Sequence, residues 1–136
     1  MPPSTSDAPL AGRRILVVED VYFVADDIAA ALRGAGAIVV GPAPNGPAAL
    51  SLMASERLDA AVLDINLHDE AVYPVAEALR ARGTPFVFAT GYDRCSIPAS
   101  YRGVPLWEKP FDSAALIRSL PALIDAVGGR RDRPTA

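Results

Sequence analysis

Five short apolar runs recur along this chain: RILVVED, AIVVG, LDAAVLDI, PFVFAT and VPLWEK, with longer segments between them. Within each run the apolar residues are continuous rather than alternating. That is the pattern of strands buried on both faces of a parallel sheet covered by helices. The intervening segments supply helices. Val24, Ile28, Leu32 and Ala35 recur at helical spacing in the first, which stops at Gly36. The second starts at NGPAAL, with Pro47 suited to a first helical turn, and carries Leu50 and Met53. The third is expected from about residue 70 to 82. It bears Val72, Val75, Ala76 and Leu79, keeps Pro74 in its first turn and ends at Gly83. The last begins at Asp112-Ser113, good N-cap residues, and continues through Leu116, Leu120, Leu123 and Val127. Pro121 predicts a kink or break in it. GYDRCSIPASYRG, between the fourth and fifth runs, has no apolar stripe and predicts at most a short, poorly packed helix. The whole reads as (βα)5 with one weak helix.

Length and composition narrow the class. The chain has 136 residues, 51% hydrophobic and 21% charged, enough for one globular domain with a real core. Residues 13–127 form the expected domain, between a disordered leader of 1–12 and a disordered tail of 128–136. So short a tail leaves no room for an output domain, and a stand-alone module is expected. The net charge of -3 lacks the basic footprint of a nucleic-acid binder. No apolar run reaches the roughly 18 residues of a membrane span. Cys95 is the only cysteine, which excludes an internal disulfide and suits a reducing, cytoplasmic setting. As the only histidine, His68 cannot build a histidine cluster for zinc.

Ligand sites in open parallel sheets form at the carboxyl ends of the strands. The first strand ends in Glu19-Asp20, the third in Asp64, the fourth in Thr90 and the fifth in Lys109. Taken singly, each has an ordinary reading as a cap, a loop carboxylate or a turn residue. Together they place carboxylates, a hydroxyl and an ammonium at matching ends of four strands. Carboxylates so gathered repel one another and need a hard cation such as Mg2+. Asp20 and Asp64 are the expected direct ligands, with Glu19 acting through water. A carboxylate with a free oxygen can attack phosphorus and form an aspartyl phosphate. Lys109 and Thr90 would then meet the charge on the incoming oxygens.

With ILVVED, AVLDINL, FAT and WEKPF in place, residues Arg13 to Val127 resemble the receiver domain of bacterial two-component response regulators. The resemblance implies a doubly wound, flavodoxin-like sheet in the order 2-1-3-4-5. It implies Asp64 as acceptor of a phosphoryl group from a sensor histidine kinase, with Glu19, Asp20 and the carbonyl of Asn66 serving Mg2+. It also implies a cis peptide at Lys109-Pro110. Such a protein catalyses only its own phosphorylation and slow dephosphorylation. It signals through an unidentified downstream protein or acts as a phosphate sink or shuttle. One departure is Leu106, where the family usually carries an aromatic that swings when the threonine moves. The nearby aromatic, Trp107, falls on the other strand face and is expected in the core. Phe88-Ala89-Thr90-Gly91-Tyr92 is similar to the motif of the FATGUY subclass, whose members tend to pair with HWE or HisKA2-type kinases and commonly replace the fourth helix by a mobile segment.

Two other readings stay open at this point. One is a receiver fold that acts as an interaction module without phosphorylation. The other is a haloacid-dehalogenase-type phosphatase, although Asp64-Ile65-Asn66 lacks the second acid of that family's motif. Thr90, Gly91, Tyr92 and Leu106 make up the expected switch. Gly91, Pro98 and the missing stripe mark residues 91–103 as an element of low local stability, which phosphorylation is expected to order. Hydrogen exchange should therefore show higher amide protection there with a phosphoryl mimic. Equal protection with and without it would count against this expectation.

Overall fold

A computed structural model describes residues 8–67, 70–90 and 97–131. The elements are β1 (Arg14–Val18), α1 (Tyr22–Gly34), β2 (Ile38–Ala43), α2 (Gly46–Ser55), β3 (Ala60–Asp64), β4 (Asn66–Leu67), β5 (Glu70–Ala71), α3 (Tyr73–Ala81), β6 (Phe86–Thr90), β7 (Leu106–Glu108) and α4 (Ser113–Arg131). The five apolar runs form one parallel sheet in the order β2-β1-β3-β6-β7, and β4 and β5 form a separate antiparallel pair. Counting sheet strands alone, the order is 2-1-3-4-5, the flavodoxin-like arrangement.

Continuous apolarity follows from burial on two sides. Leu16, Ala61, Leu63, Phe86 and Phe88 face a core closed by Ala49 and Met53 of α2 and Val75, Ala76 and Leu79 of α3. Ile15, Val17, Ala60, Val62 and Val87 face a second core with Ile28 and Leu32 of α1 and Leu116, Leu120 and Ile124 of α4. The edge strands are less enclosed, and Ile38 of β2 remains 46% exposed. Gly41 shapes the end of β2. Its φ is +98°, and a Cβ there would lie 2.7 Å from the Ala43 nitrogen. The β1–β2 register shifts between Leu16 and Val18, and the Glu19 amide then donates to Ala43 O at 3.0 Å. Arg82, just past α3, donates to Met53 O at 2.7 Å and Glu56 O at 3.0 Å, which ties the C-terminal ends of α2 and α3 together.

Several boundaries differ from the sequence expectation. Within α2 the buried residues are Gly46, Ala49 and Met53, whereas Leu50 is 38% exposed, because the small residues form the face that approaches the sheet. Glu70 and Ala71 pair with β4, so α3 starts only at Tyr73, with Pro74 in its first turn as expected. Pro121 does not end α4. Buried Leu116, Ile117, Leu120 and Ile124 hold the helix on both sides of it, and the helix reaches Arg131, inside the expected tail. The leader also packs from Ala8 onward. Leu10 is fully buried, its amide donates to Ala35 O at 2.9 Å, and Gly12 N donates to Gly36 O at 3.1 Å. Gly36 has φ +91°, and a Cβ on it would sit 3.0 Å from the Ala11 Cα, so this close approach requires glycine. Between β6 and β7 the described residues contain a 3-10 turn, Ala99–Tyr101. Contrary to the expectation of poor packing, Tyr101 is buried.

Leu10→Ala should cost about 2–5 kcal/mol of stability, as for other buried leucines. Leu50→Ala should stay within about 0.5 kcal/mol, as for a surface substitution. Urea unfolding of the two variants measures the contrast, and equal losses would contradict these placements.

Candidate functional site

The carboxyl ends of β1 and β3 lie side by side because Val18 registers with Leu63, so the residues that follow, Glu19-Asp20 and Asp64, meet at one edge. One carboxylate oxygen from each of Glu19, Asp20 and Asp64 falls within a common 4.8 Å span. Glu19 and Asp64 are buried and Asp20 is half-buried. Glu19 Oε2 accepts from the Val21 amide at 3.1 Å, which fixes this side chain to the entry of α1. Lys109 reaches across from β7, its Nζ 2.8 Å from Glu19 Oε1 and 3.3 Å from Asp64 Oδ2. The approach to Glu19 is an ion pair without hydrogen-bond alignment, whereas that to Asp64 is a hydrogen bond. Thr90 is buried at the end of β6, one residue past the Ala89 that registers with Asp64. The Lys109 amide donates to Thr90 O at 2.8 Å, joining the two residues through the backbone.

Burial first, then the hydrogen bond and negative charge of Glu19, push the Asp64 carboxyl up to about 7 against the opposing pull of Lys109. Burial alone would lower the Lys109 ammonium, but Glu19 and Asp64 outweigh it, and its pKa is raised. Lys109 therefore stays charged. An all-oxygen donor set of this kind fits a hard divalent cation better than a soft one.

The structure thus brings together Glu19, Asp20, Asp64 and Lys109, with Thr90 adjoining. The Lys109–Pro110 peptide is cis, and so is Gly41–Pro42, which the sequence reading did not anticipate. Asn66 follows Asp64 by two residues as part of β4. Leu106 packs with the core that contains Phe88 and Tyr101. Trp107 packs on the other side of the sheet, half-buried, its ring 6.3 Å from that of Phe111. Gly91, Tyr92, Cys95 and His68 lie outside the described residues. Sequence reasoning missed Tyr22 and Phe23, which are 80% and 74% exposed at the start of α1. A groove lined by Phe23, Val24, Ile28, Pro110 and Phe111 opens there beside Lys109. The available signal was their position off the stripe of Val24, Ile28 and Leu32.

The fold and this acidic edge point to one family of signalling domains, and the family comparison agrees. The response regulator receiver domain model matches residues 15–120, and the chain belongs to that family. Among relatives, it is 29% identical over 111 residues to the sensory transduction protein LytT of Bacillus cereus, covering 79% of this chain and 45% of that protein. It is 29% identical over 133 residues to the transcriptional regulatory protein PdtaR of Mycobacterium tuberculosis, covering 94% of this chain and 63% of that one. The chain therefore spans less than two thirds of either relative. Among solved structures, SdrG from Sphingomonas melonis Fr1 is similar at 38% identity with a TM-score of 0.73, covering 83% of this chain and 97% of that one. The BeF3-activated conformation of SdrG aligns at 37% identity with a TM-score of 0.71, covering 84% and 98%. Among the described residues no helix is long and apolar enough to cross a membrane.

The raised Asp64 value has a pH signature. Between about pH 4, the unfolded carboxyl value, and about pH 7, the folded state binds the extra proton, so its stability falls as pH rises through that window. In chelator, the melting temperature should drop from pH 5 to pH 8. Asp64→Asn should flatten that drop and melt higher than the wild-type chain at pH 8. A wild-type melting temperature that rises across the window would contradict the assignment.

Proposed function

We propose that this receiver domain accepts a phosphoryl group onto Asp64 from a phosphohistidine of a sensor histidine kinase. The single observation that carries this reading is Lys109 Nζ held between the buried carboxylates of Glu19 and Asp64. An Asp64 carboxylate oxygen forms the new P–O bond as the P–N bond to the donor histidine breaks. The leaving imidazole keeps the electron pair of that bond and takes up a proton. Lys109 moves from balancing carboxylates to balancing phosphoryl oxygens, and Thr90 offers its hydroxyl to another. The donor set of Asp20, Asp64 and the Asn66 carbonyl, with Glu19 through water, would hold Mg2+. When bound, Mg2+ supplies the positive charge that offsets the phosphoryl group. Water later hydrolyses the acyl phosphate slowly, so the protein turns over only its own modification.

Exposed Tyr22 and Phe23 beside the groove at Lys109 support a protein as the phosphodonor. The run Phe88-Ala89-Thr90-Gly91-Tyr92 supports assignment to the FATGUY subclass and an HWE or HisKA2-type kinase. A cytoplasmic setting is part of this reading. Output is by contact with a downstream protein, or by service as a phosphate sink or shuttle.

A radiolabelled small-molecule phosphodonor with Mg2+ tests the acceptor. The wild-type chain should incorporate acid-stable, base-labile label, Asp64→Asn should incorporate none, and chelator should abolish incorporation. Lys109→Ala should retain Mg2+ binding and lose most of the incorporation. Label on the Asp64→Asn chain would remove Asp64 from its role. An unlabelled wild-type chain would favour the interaction module, and turnover of a phosphate monoester the phosphatase.

A further inference from the structure

Tyr101 is the last residue of the 3-10 turn before β7, and five ring or polar contacts converge on it. Tyr73 stacks on its ring at 5.2 Å with an interplanar angle of 18°. Phe88 and Phe86 meet it edge-on at 5.6 and 6.4 Å. The Arg80 guanidinium lies 4.3 Å from the ring centroid, and its Nη2 donates to Ser100 O at 2.5 Å. The Tyr101 hydroxyl donates to Glu77 Oε2. Tyr73, Glu77 and Arg80 fall at i, i+4 and i+7, one stripe along α3. A full helix face is therefore committed to one side chain. Burial first, then the bond to Glu77, push the phenol up to about 12, so the hydroxyl keeps its proton as a donor at neutral pH.

The other side of the Tyr101 ring belongs to the strand that ends at the site. Phe86, Phe88 and Thr90 alternate onto the same face of β6. Leu106 registers with Phe88, and Glu108 registers with Thr90, one residue before Lys109. Val104 N donates to Tyr101 O at 3.0 Å, so the turn that carries the ring leads directly into β7. Tyr101 thus sits against both strands that bring Thr90 and Lys109 to the site, and against a helix with two exposed charges, Glu77 and Arg80. The carboxylates on β1 and β3 lie outside this set of contacts.

We propose that Tyr101 is a positioning residue: it braces the β6–β7 edge that carries Thr90 and Lys109, and it couples that edge to the exposed face of α3. The inference rests on the phosphoacceptor reading above. It adds that the α3 face of Glu77 and Arg80 reports the phosphoryl group to a partner. A cation on the ring and a pinned hydroxyl can register a small shift of the turn as a rearranged charge pair on the surface.

The test uses the full chain with Mg2+ alone and with Mg2+ plus beryllofluoride, read by calorimetry and by amide NMR. Tyr101→Phe keeps the ring and removes only the bond to Glu77, and Tyr101→Leu removes the ring. Both should bind Mg2+ within about twofold of wild type, while beryllofluoride binding weakens about fivefold or more in Tyr101→Leu and less in Tyr101→Phe. In the wild-type chain the Glu77 and Arg80 amides should shift on beryllofluoride binding, and those shifts should shrink in both variants. A purely structural role would weaken Mg2+ and beryllofluoride binding together. That result overturns the proposal, as do unchanged beryllofluoride affinity or undiminished α3 shifts. If Tyr101→Leu does not fold, the Tyr101→Phe arm decides alone. A wild-type chain that binds Mg2+ but not beryllofluoride overturns the phosphoacceptor reading itself, and the inference with it.

Discussion

Everything at this edge depends on one electrostatic constraint: two buried carboxylates and a half-buried third crowded together, with the Lys109 ammonium set against two of them. Such a cluster is costly in a folded protein unless it is compensated. The sheet makes it possible. The parallel register of β1 and β3 places three acids at adjacent strand ends, and β7 lies far enough along the sheet for the Lys109 stem to reach back to them. Each acid alone would be ordinary, and gathering them raises the free energy of the edge wherever their charge is not offset. The raised Asp64 value expresses the same imbalance from the side of the proton.

The rest of the fold is organised around keeping that edge in place. Two cores, one on each sheet face, hold five strands by side chains that are almost all aliphatic or aromatic. Of the buried polar residues, Glu19, Asp64 and Thr90 stand at the carboxyl ends of strands and Thr84 just ahead of β6. Gly41 shows how far the requirement extends. It has no side chain to offer the site, yet no side chain fits where it lets β2 end beside the Glu19 amide. The site is thus maintained by residues that take no part in its chemistry.

Much of this was legible in the sequence. Continuous apolar runs marked all five sheet strands, and the acids, Thr90 and Lys109 stood at strand ends where the structure also places them. What was not legible has a common physical origin. Leu50 is as apolar as Met53, but α2 approaches the sheet through Gly46 and Ala49, which small size favours and hydrophobicity counts underrate. Leu10 stood isolated among prolines and small residues, with no periodicity to show that a cavity beside Ala35 awaits it. Tyr101 sat in a stretch with no stripe because its partners come from α3 and β6, remote in sequence. A single buried residue held by long-range contacts leaves no local pattern.

The clamp formed by Arg82 gives the α-helical layer on one face an unequal compliance. Its guanidinium bridges the C-terminal ends of α2 and α3 at the sheet edge opposite the acids. These two helices are thereby tied at one end into a stiff frame. The turn ahead of β7 is tied to the same helix, because Arg80 donates to Ser100 O. Two arginines near the end of α3 thus anchor a neighbouring helix and a neighbouring turn, which makes α3 the common strut of this face.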